Sequence, residues 1–198
     1  LMRADLSKFT TLVLPSGSYN GVLTDSAIEK ISSWVREGGN LVLIAGANQN
    51  FSERNGFQLT RKQTEAEEPT NEEMLAPYDN RSRRYISNTT SGSAFEVTLD
   101  TTHPLAYGYD SEYYTLKLSA DSYSYLDSGW NVGTVRDNSY RSGFVGVEAK
   151  PVIENSLSFG VQNYGGGQVV YMIENPLFRG FWENGKLLVA NSLFFVGN

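Results

Sequence analysis

The sequence predicts an α/β protein built on one mixed sheet, and three observations carry that reading. A strand–helix–strand pattern fills residues 11–45, strand-and-turn segments follow from Ser93, and an apolar helix closes the chain. A crossover at one end and directly successive strands elsewhere require parallel and antiparallel pairing together. The first strand is Thr11-Leu12-Val13-Leu14, a short apolar run stopped by Pro15-Ser16-Gly17, as expected of a parallel strand buried on both faces. The helix after it is marked at both ends. Thr24 can cap it, Asp25 suits the positive end of the dipole, and Leu23 with Ile28 can form a hydrophobic staple. Ile28, Ile31 and Val35 make one apolar stripe. Gly38-Gly39 ends the helix, because glycine enters the left-handed C-terminal conformation without a Cβ clash. Leu41-Val42-Leu43-Ile44-Ala45 is the second buried strand, so a right-handed βαβ crossover is expected.

Residues 48–92 read as a polar insertion in a single domain spanning 1–198. Acidic residues at Glu65, Glu67, Glu68, Glu72 and Glu73 are followed by Arg81, Arg83 and Arg84. An anion site is one reading of the arginines; a solvated excursion with offsetting charges is the favoured one. A short helix is expected near Glu72 to Ala76. Beyond it, Ala94 to Leu99 alternates like a half-buried strand, and Tyr113 to Leu118, Tyr123 to Leu126 and Asn131 to Val135 are strand-like. Ser156 to Gln162 and Gln168 to Ile173 flank a glycine turn at Gly165-Gly166-Gly167, the pattern of a β-hairpin. In the last helix Leu187, Leu188, Asn191, Phe194 and Phe195 are expected to share a face.

Composition excludes more chemistry than it suggests. The 198 residues include no cysteine and one histidine, which removes disulfides, thiolate nucleophiles and zinc-thiolate sites. A net charge of -6 argues against a nucleic-acid partner, since phosphate neutralisation needs a basic face. No apolar run approaches the roughly 20 residues of a membrane span. The chain opens at Leu1 and not at a methionine, so a piece of a longer polypeptide is expected, and with neither a charged nor an apolar leader segment no signal peptide is expected in it. Zero cysteines and 12 tyrosines fit an exported bacterial protein as well as a cytoplasmic one.

Motifs for catalysis are weak. His103 could be a ligand beside Asp100, but in Asp100-Thr101-Thr102-His103-Pro104 a turn role is favoured. Ser16 and Ser18 follow a strand, yet Gly17-Ser18-Tyr19-Asn20-Gly21 puts serine one place too early for a nucleophile elbow. The triple glycine lacks the lysine and helix of a phosphate loop. The aromatic content of 13% could supply a sugar platform, with Trp130 and Trp182 the loop candidates.

The strings Thr11 to Gly17, Ile31 to Val42 and Gly165 to Tyr171 resemble the class I glutamine amidotransferase-like fold, a flavodoxin-like three-layer sandwich. This resemblance implies a nucleophile position at the end of the second strand, where Leu43-Ile44-Ala45-Gly46 offers only Ile44 or Ala45. Neither can attack a carbonyl. Over a longer stretch, Glu174-Asn175-Pro176-Leu177-Phe178-Arg179-Gly180-Phe181-Trp182, with Gly185 to Phe195, Leu99 to Tyr109, Asn131-Val132 and Ser142 to Phe144, is similar to the C-terminal region of secreted bacterial zinc carboxypeptidases. That resemblance implies an N-terminal peptidase domain in the same polypeptide as partner, a secreted or periplasmic location, and zinc held only in that domain. No cofactor, catalytic residue or metal ligand is expected here.

The string at 174–182 follows the last strand, the edge where α/β folds place ligands. Asn175, Arg179 and Trp182 are the candidate binding residues: Arg179 could clamp a carboxylate, and Trp182 could stack beside it. A plainer reading makes them a turn with core-plugging rings. Three functions compete: a non-catalytic accessory domain of an exported zinc carboxypeptidase that docks on the peptidase or helps hold peptide; a carbohydrate- or cell-wall-binding module; and a serine hydrolase using Ser16 or Ser18 with His103.

Overall fold

The structure is a computed structural model that describes residues 3–62, 75, 77, 83 and 85–197. Its strands are β1 (Thr11–Leu14), β2 (Asn40–Ile44), β3 (Thr90–Leu99), β4 (Glu112–Lys117), β5 (Trp130–Val145), β6 (Ser156–Tyr164) and β7 (Gly167–Met172). Among the described residues they form one seven-stranded sheet in the order β1-β2-β7-β6-β5-β3-β4. β1, β2 and β7 run parallel, and every pairing from β7 outward to β4 is antiparallel. The mixed sheet read from the sequence is present.

The helices are α1 (Asp25–Arg36), α2 (Ala149–Ile153) and α3 (Lys186–Phe194). Thr24 caps α1, its Oγ1 accepting from the Ala27 amide at 3.3 Å. Ile28, Ile31 and Val35 are buried with Leu41, Leu43, Val169 and Tyr171. Each such side chain contributes about 1.5–3 kcal/mol on burial, against about 1 kcal/mol for a cap. Packing therefore holds α1, and the cap sets where it starts. All five residues of β2 are buried; Leu41 and Leu43 enter one apolar cluster while Val42 and Ile44 enter a second. β7 divides likewise, with Val169 and Tyr171 on one side and Val170 and Met172 on the other.

Several expectations shift. Tyr123 to Leu126 is no strand: Tyr123 makes only isolated bridges, to Arg61 and Leu157. Lys62 donates to the Ser122 carbonyl at 2.8 Å, Ser124 to that of Thr60 at 2.9 Å and Leu157 to that of Tyr123 at 2.9 Å, so the segment divides its backbone bonds between a loop and β6. β5 runs far past Val135, since Asn138 takes a left-handed φ of 59 inside it. The turn residues there bend the strand instead of ending it. In α3 the buried residues are Leu188, Asn191 and Ser192, while Leu187, Phe194 and Phe195 are exposed. Asn191 sets that rotation by donating to the carbonyls of Leu105 at 3.0 Å and Tyr107 at 2.8 Å. The helix expected near Glu72 to Ala76, and the charge blocks at 64–73 and 81–84, lie outside the described residues apart from Leu75 and Arg83. Among the described residues no helix is long and apolar enough to cross a membrane.

Candidate functional site

β2 ends in Leu43-Ile44, and the next residue, Ala45, takes a φ of 49. A side chain in that left-handed region costs roughly 1–2 kcal/mol. The turn that imposes it is pinned by Asn48, whose Nδ2 donates to the carbonyls of Ala45 at 2.9 Å and Met172 at 2.8 Å. Ala45→Gly is expected to raise stability by about 1 kcal/mol in urea unfolding; a loss would show that the methyl group packs better than it strains.

Ala45 borders a cavity of about 240 Å³, with Ser16 from the end of β1, Gln49, Lys117, Glu174 and Asn175. Lys117 and Glu174 are its charged floor. Their side chains are 3% and 8% exposed and meet at 2.6 Å. Lys117 also donates to the Asp121 carbonyl at 2.6 Å, and Glu174 Oε2 accepts from Ser158 Oγ at 3.0 Å. β4 lies at the far edge of the sheet from β1, yet its last residue reaches the residue group after β7. The sheet must curl to allow that contact.

Of the three binding candidates, only Asn175 lines this cavity, and its Oδ1 accepts from the Leu177 amide at 3.0 Å. Arg179 is exposed, with a left-handed φ of 50 and its guanidinium 5.2 Å from the Phe178 ring centroid. Trp182 is half-buried, with its ring edge-on to Phe181 at 6.5 Å between centroids. The structure thus brings Asn175 to the cavity and leaves Arg179 and Trp182 outside it. Lys117 and Glu174 are absent from the sequence-based candidates, although a signal exists for both. Tyr113, Thr115 and Lys117 are the buried alternate positions of β4, and Glu174 directly follows the buried run Val169 to Ile173. A charge in phase with a buried face is the trace of a partnered ion.

His103 lies elsewhere. It precedes a 3-10 turn at Pro104–Ala106, and its Nδ1 accepts from the Leu105 amide at 3.1 Å. It borders a second cleft where β2 and β7 begin, whereas Ser16 borders the cavity where β1 and β2 end. The structure does not bring the two together. Burial pushes the His103 imidazole below its ordinary 6.5, against the opposing pull of Asp100. Protonation therefore favours the unfolded chain: the stability from neutral His103 is complete above 6.5 and is lost as pH falls below that value. Urea unfolding from pH 7.5 down to 5 should show this decline, and His103→Asn should flatten it. Among the described residues no group of three or more His, Cys, Asp or Glu is placed to hold a metal.

The sequence matches no protein-family model and no curated protein. Solved structures do resemble the fold. A cytoplasmic protein from Salmonella typhimurium superposes with a TM-score of 0.57 at 15% identity, over 96% of this chain and 73% of that one. A ThuA-like protein from Parabacteroides merdae gives 0.53 at 14% identity, over 98% and 72%. A β-galactosidase from Bacillus circulans gives 0.54 at 14% identity, over 96% of this chain and 23% of the enzyme. Such identities speak for the fold alone. The chain has an α/β fold of the glutamine amidotransferase-like kind, shared with ThuA-like proteins.

Proposed function

We propose that this chain is a non-catalytic accessory domain of an exported zinc carboxypeptidase, acting on a peptidase domain of the same polypeptide by docking, stabilisation or help in holding substrate. The observation that supports the non-catalytic part of the reading is Ala45; the carboxypeptidase part rests on the sequence resemblance of residues 174–195. Ala45 stands at the left-handed tip after β2, beside the cavity, where the fold's resemblance implies a nucleophile. A methyl group there can contact a ligand but cannot attack one. We read the architecture as a flavodoxin-like three-layer sandwich, which apolar clusters on both faces of β2 and β7 support. Zinc belongs to the peptidase domain in this reading. The exposed Leu187, Phe194 and Phe195 on and beside α3 suit docking, since apolar surface left open commonly marks an interface.

Two measurements test the proposal. The purified chain should turn over neither glutamine, nor a p-nitrophenyl ester, nor a peptide. The reading frame upstream of Leu1 should encode a His-x-x-Glu and a distant histidine, and deleting residues 1–198 should lower the peptidase's melting temperature or activity. Turnover abolished by a point change within the chain, or a frame without those zinc ligands, defeats it.

A further inference from the structure

The second cleft, of about 750 Å³, falls within the roughly 300–1,000 Å³ of small-molecule sites. It gathers side chains from the loop after β3, the head of β5, the β6–β7 turn and the end of α3. We propose that this cleft binds a neutral pyranose residue of a glycan, with Trp130 as its platform and Asp100, His103 and Asn163 as partners for its hydroxyl groups. This goes beyond the accessory-domain reading and does not depend on it.

The platform comes first. Trp130 opens β5 and remains 40% exposed, with the His103 ring centred 5.5 Å away at 51°. An indole left open to water inside a cleft is apolar area that a ligand can cover. The C–H face of a pyranose covers it while the hydroxyl groups point outward at the rim. A flat apolar ligand would cover the ring too, but it would strand the polar groups around it.

Those groups are held by the protein with one side still open. Asp100 Oδ1 accepts from the Thr102 amide at 3.0 Å and its hydroxyl at 2.6 Å. The same bonds hold the carboxyl below its usual range, so its other oxygen, without a partner among the described residues, is a charged acceptor. His103 Nδ1 is occupied by the Leu105 amide, which places the proton of the neutral ring on Nε2, a donor. Asn163 Oδ1 accepts from Gln168 Nε2 at 3.0 Å, which leaves the Asn163 amide group as a further donor. One acceptor and two donors around one ring match hydroxyl groups, which both give and take hydrogen bonds.

Charge narrows the ligand. Asp100 is the one charged side chain lining the cleft among the described residues, so phosphorylated sugars and uronic acids meet repulsion with no cation to offset it. Neutral hexosides and N-acetylhexosamines meet none.

The experiment presents the 198-residue chain with methyl glycosides of glucose, galactose, mannose and N-acetylglucosamine, and with glucuronate and glucose 6-phosphate. Binding is read by tryptophan fluorescence and calorimetry. At least one neutral glycoside should bind in the millimolar range or tighter, and the two anions should not. Trp130→Ala and Asp100→Asn should each weaken that binding about tenfold, with Trp182→Ala leaving it unchanged. Should Trp130→Ala fail to fold by circular dichroism, Asn163→Ala, at an exposed residue near the end of β6, takes its place with a several-fold loss expected. No binding of any neutral glycoside at 50 mM overturns the proposal, as does preference for the anions or binding indifferent to Trp130, Asp100 and Asn163. Each of these failures leaves the accessory-domain reading standing, because that reading turns on the peptidase.

Discussion

Glu174→Ala is expected to cost about 3–5 kcal/mol of folding stability and to lower the melting temperature by roughly 10 °C. The substitution leaves the Lys117 ammonium buried, with the Asp121 carbonyl 2.6 Å away but no counter-ion. It also strips Ser158 of its acceptor. Exposed pairs offer the contrast. Asp25 of the Arg54–Asp25 pair is 89% exposed, and deleting such a pair changes stability by at most about 1 kcal/mol. Removing both buried charges together, as Lys117→Met with Glu174→Leu, should recover most of the loss, because the desolvation cost disappears with them. Calorimetric melting of the single and double variants checks this. A Glu174→Ala melting point within 2 °C of the parent would mean that water already reaches the ammonium.

Gly167→Ala is expected to destabilise by about 3 kcal/mol. A Cβ built at Gly167 would stand 2.1 Å from the Gly39 carbonyl oxygen and 2.4 Å from that of Val35. Both obstacles are backbone, so no rotamer change relieves them. The start of β7, the end of α1 and the approach to β2 would all have to separate. Gly17→Ala is the control: its nearest obstacle, a Tyr19 ring atom, lies at 3.9 Å, and a change within about 0.5 kcal/mol is expected. Urea midpoints of the two variants decide it, and equal midpoints would sink the claim that the hairpin and α1 are in tight backbone contact.

The parallel half of the sheet is legible in the sequence because each of its signals is local. Thr24 at the cap, the three- and four-residue spacing of Ile28, Ile31 and Val35, and the unbroken apolar run at 41–44 each specify structure without reference to distant residues. The antiparallel half is legible only in part. The length of β5 depends on Asn138 accepting a left-handed bend inside a strand, and asparagine reads equally well as a turn that ends one. Tyr123 looks like strand because it is aromatic, but its carbonyl accepts from the Leu157 amide while the backbones of Ser122 and Ser124 beside it bond Lys62 and Thr60. The candidate site is legible least. Asn175 follows from its position after the last strand, whereas Lys117 and Glu174 meet across 57 residues only because the sheet curls. Nothing in local spacing encodes that meeting. Arg179 attracts notice as a charge among aromatics, and the structure lays it over Phe178, outside the cavity.

β7 is the last strand of the chain, yet it lies between β2 and β6. While a ribosome is still making residues before Gly167, the parallel pair of β1 and β2 and the antiparallel strands from β3 to β6 have no shared neighbour. They can gather only as two half-sheets, each with an open flank. The nascent chain must keep those flanks from sticking to one another or to other polypeptides until the final strand slides between them, so premature termination would yield an aggregating product and not a shortened fold.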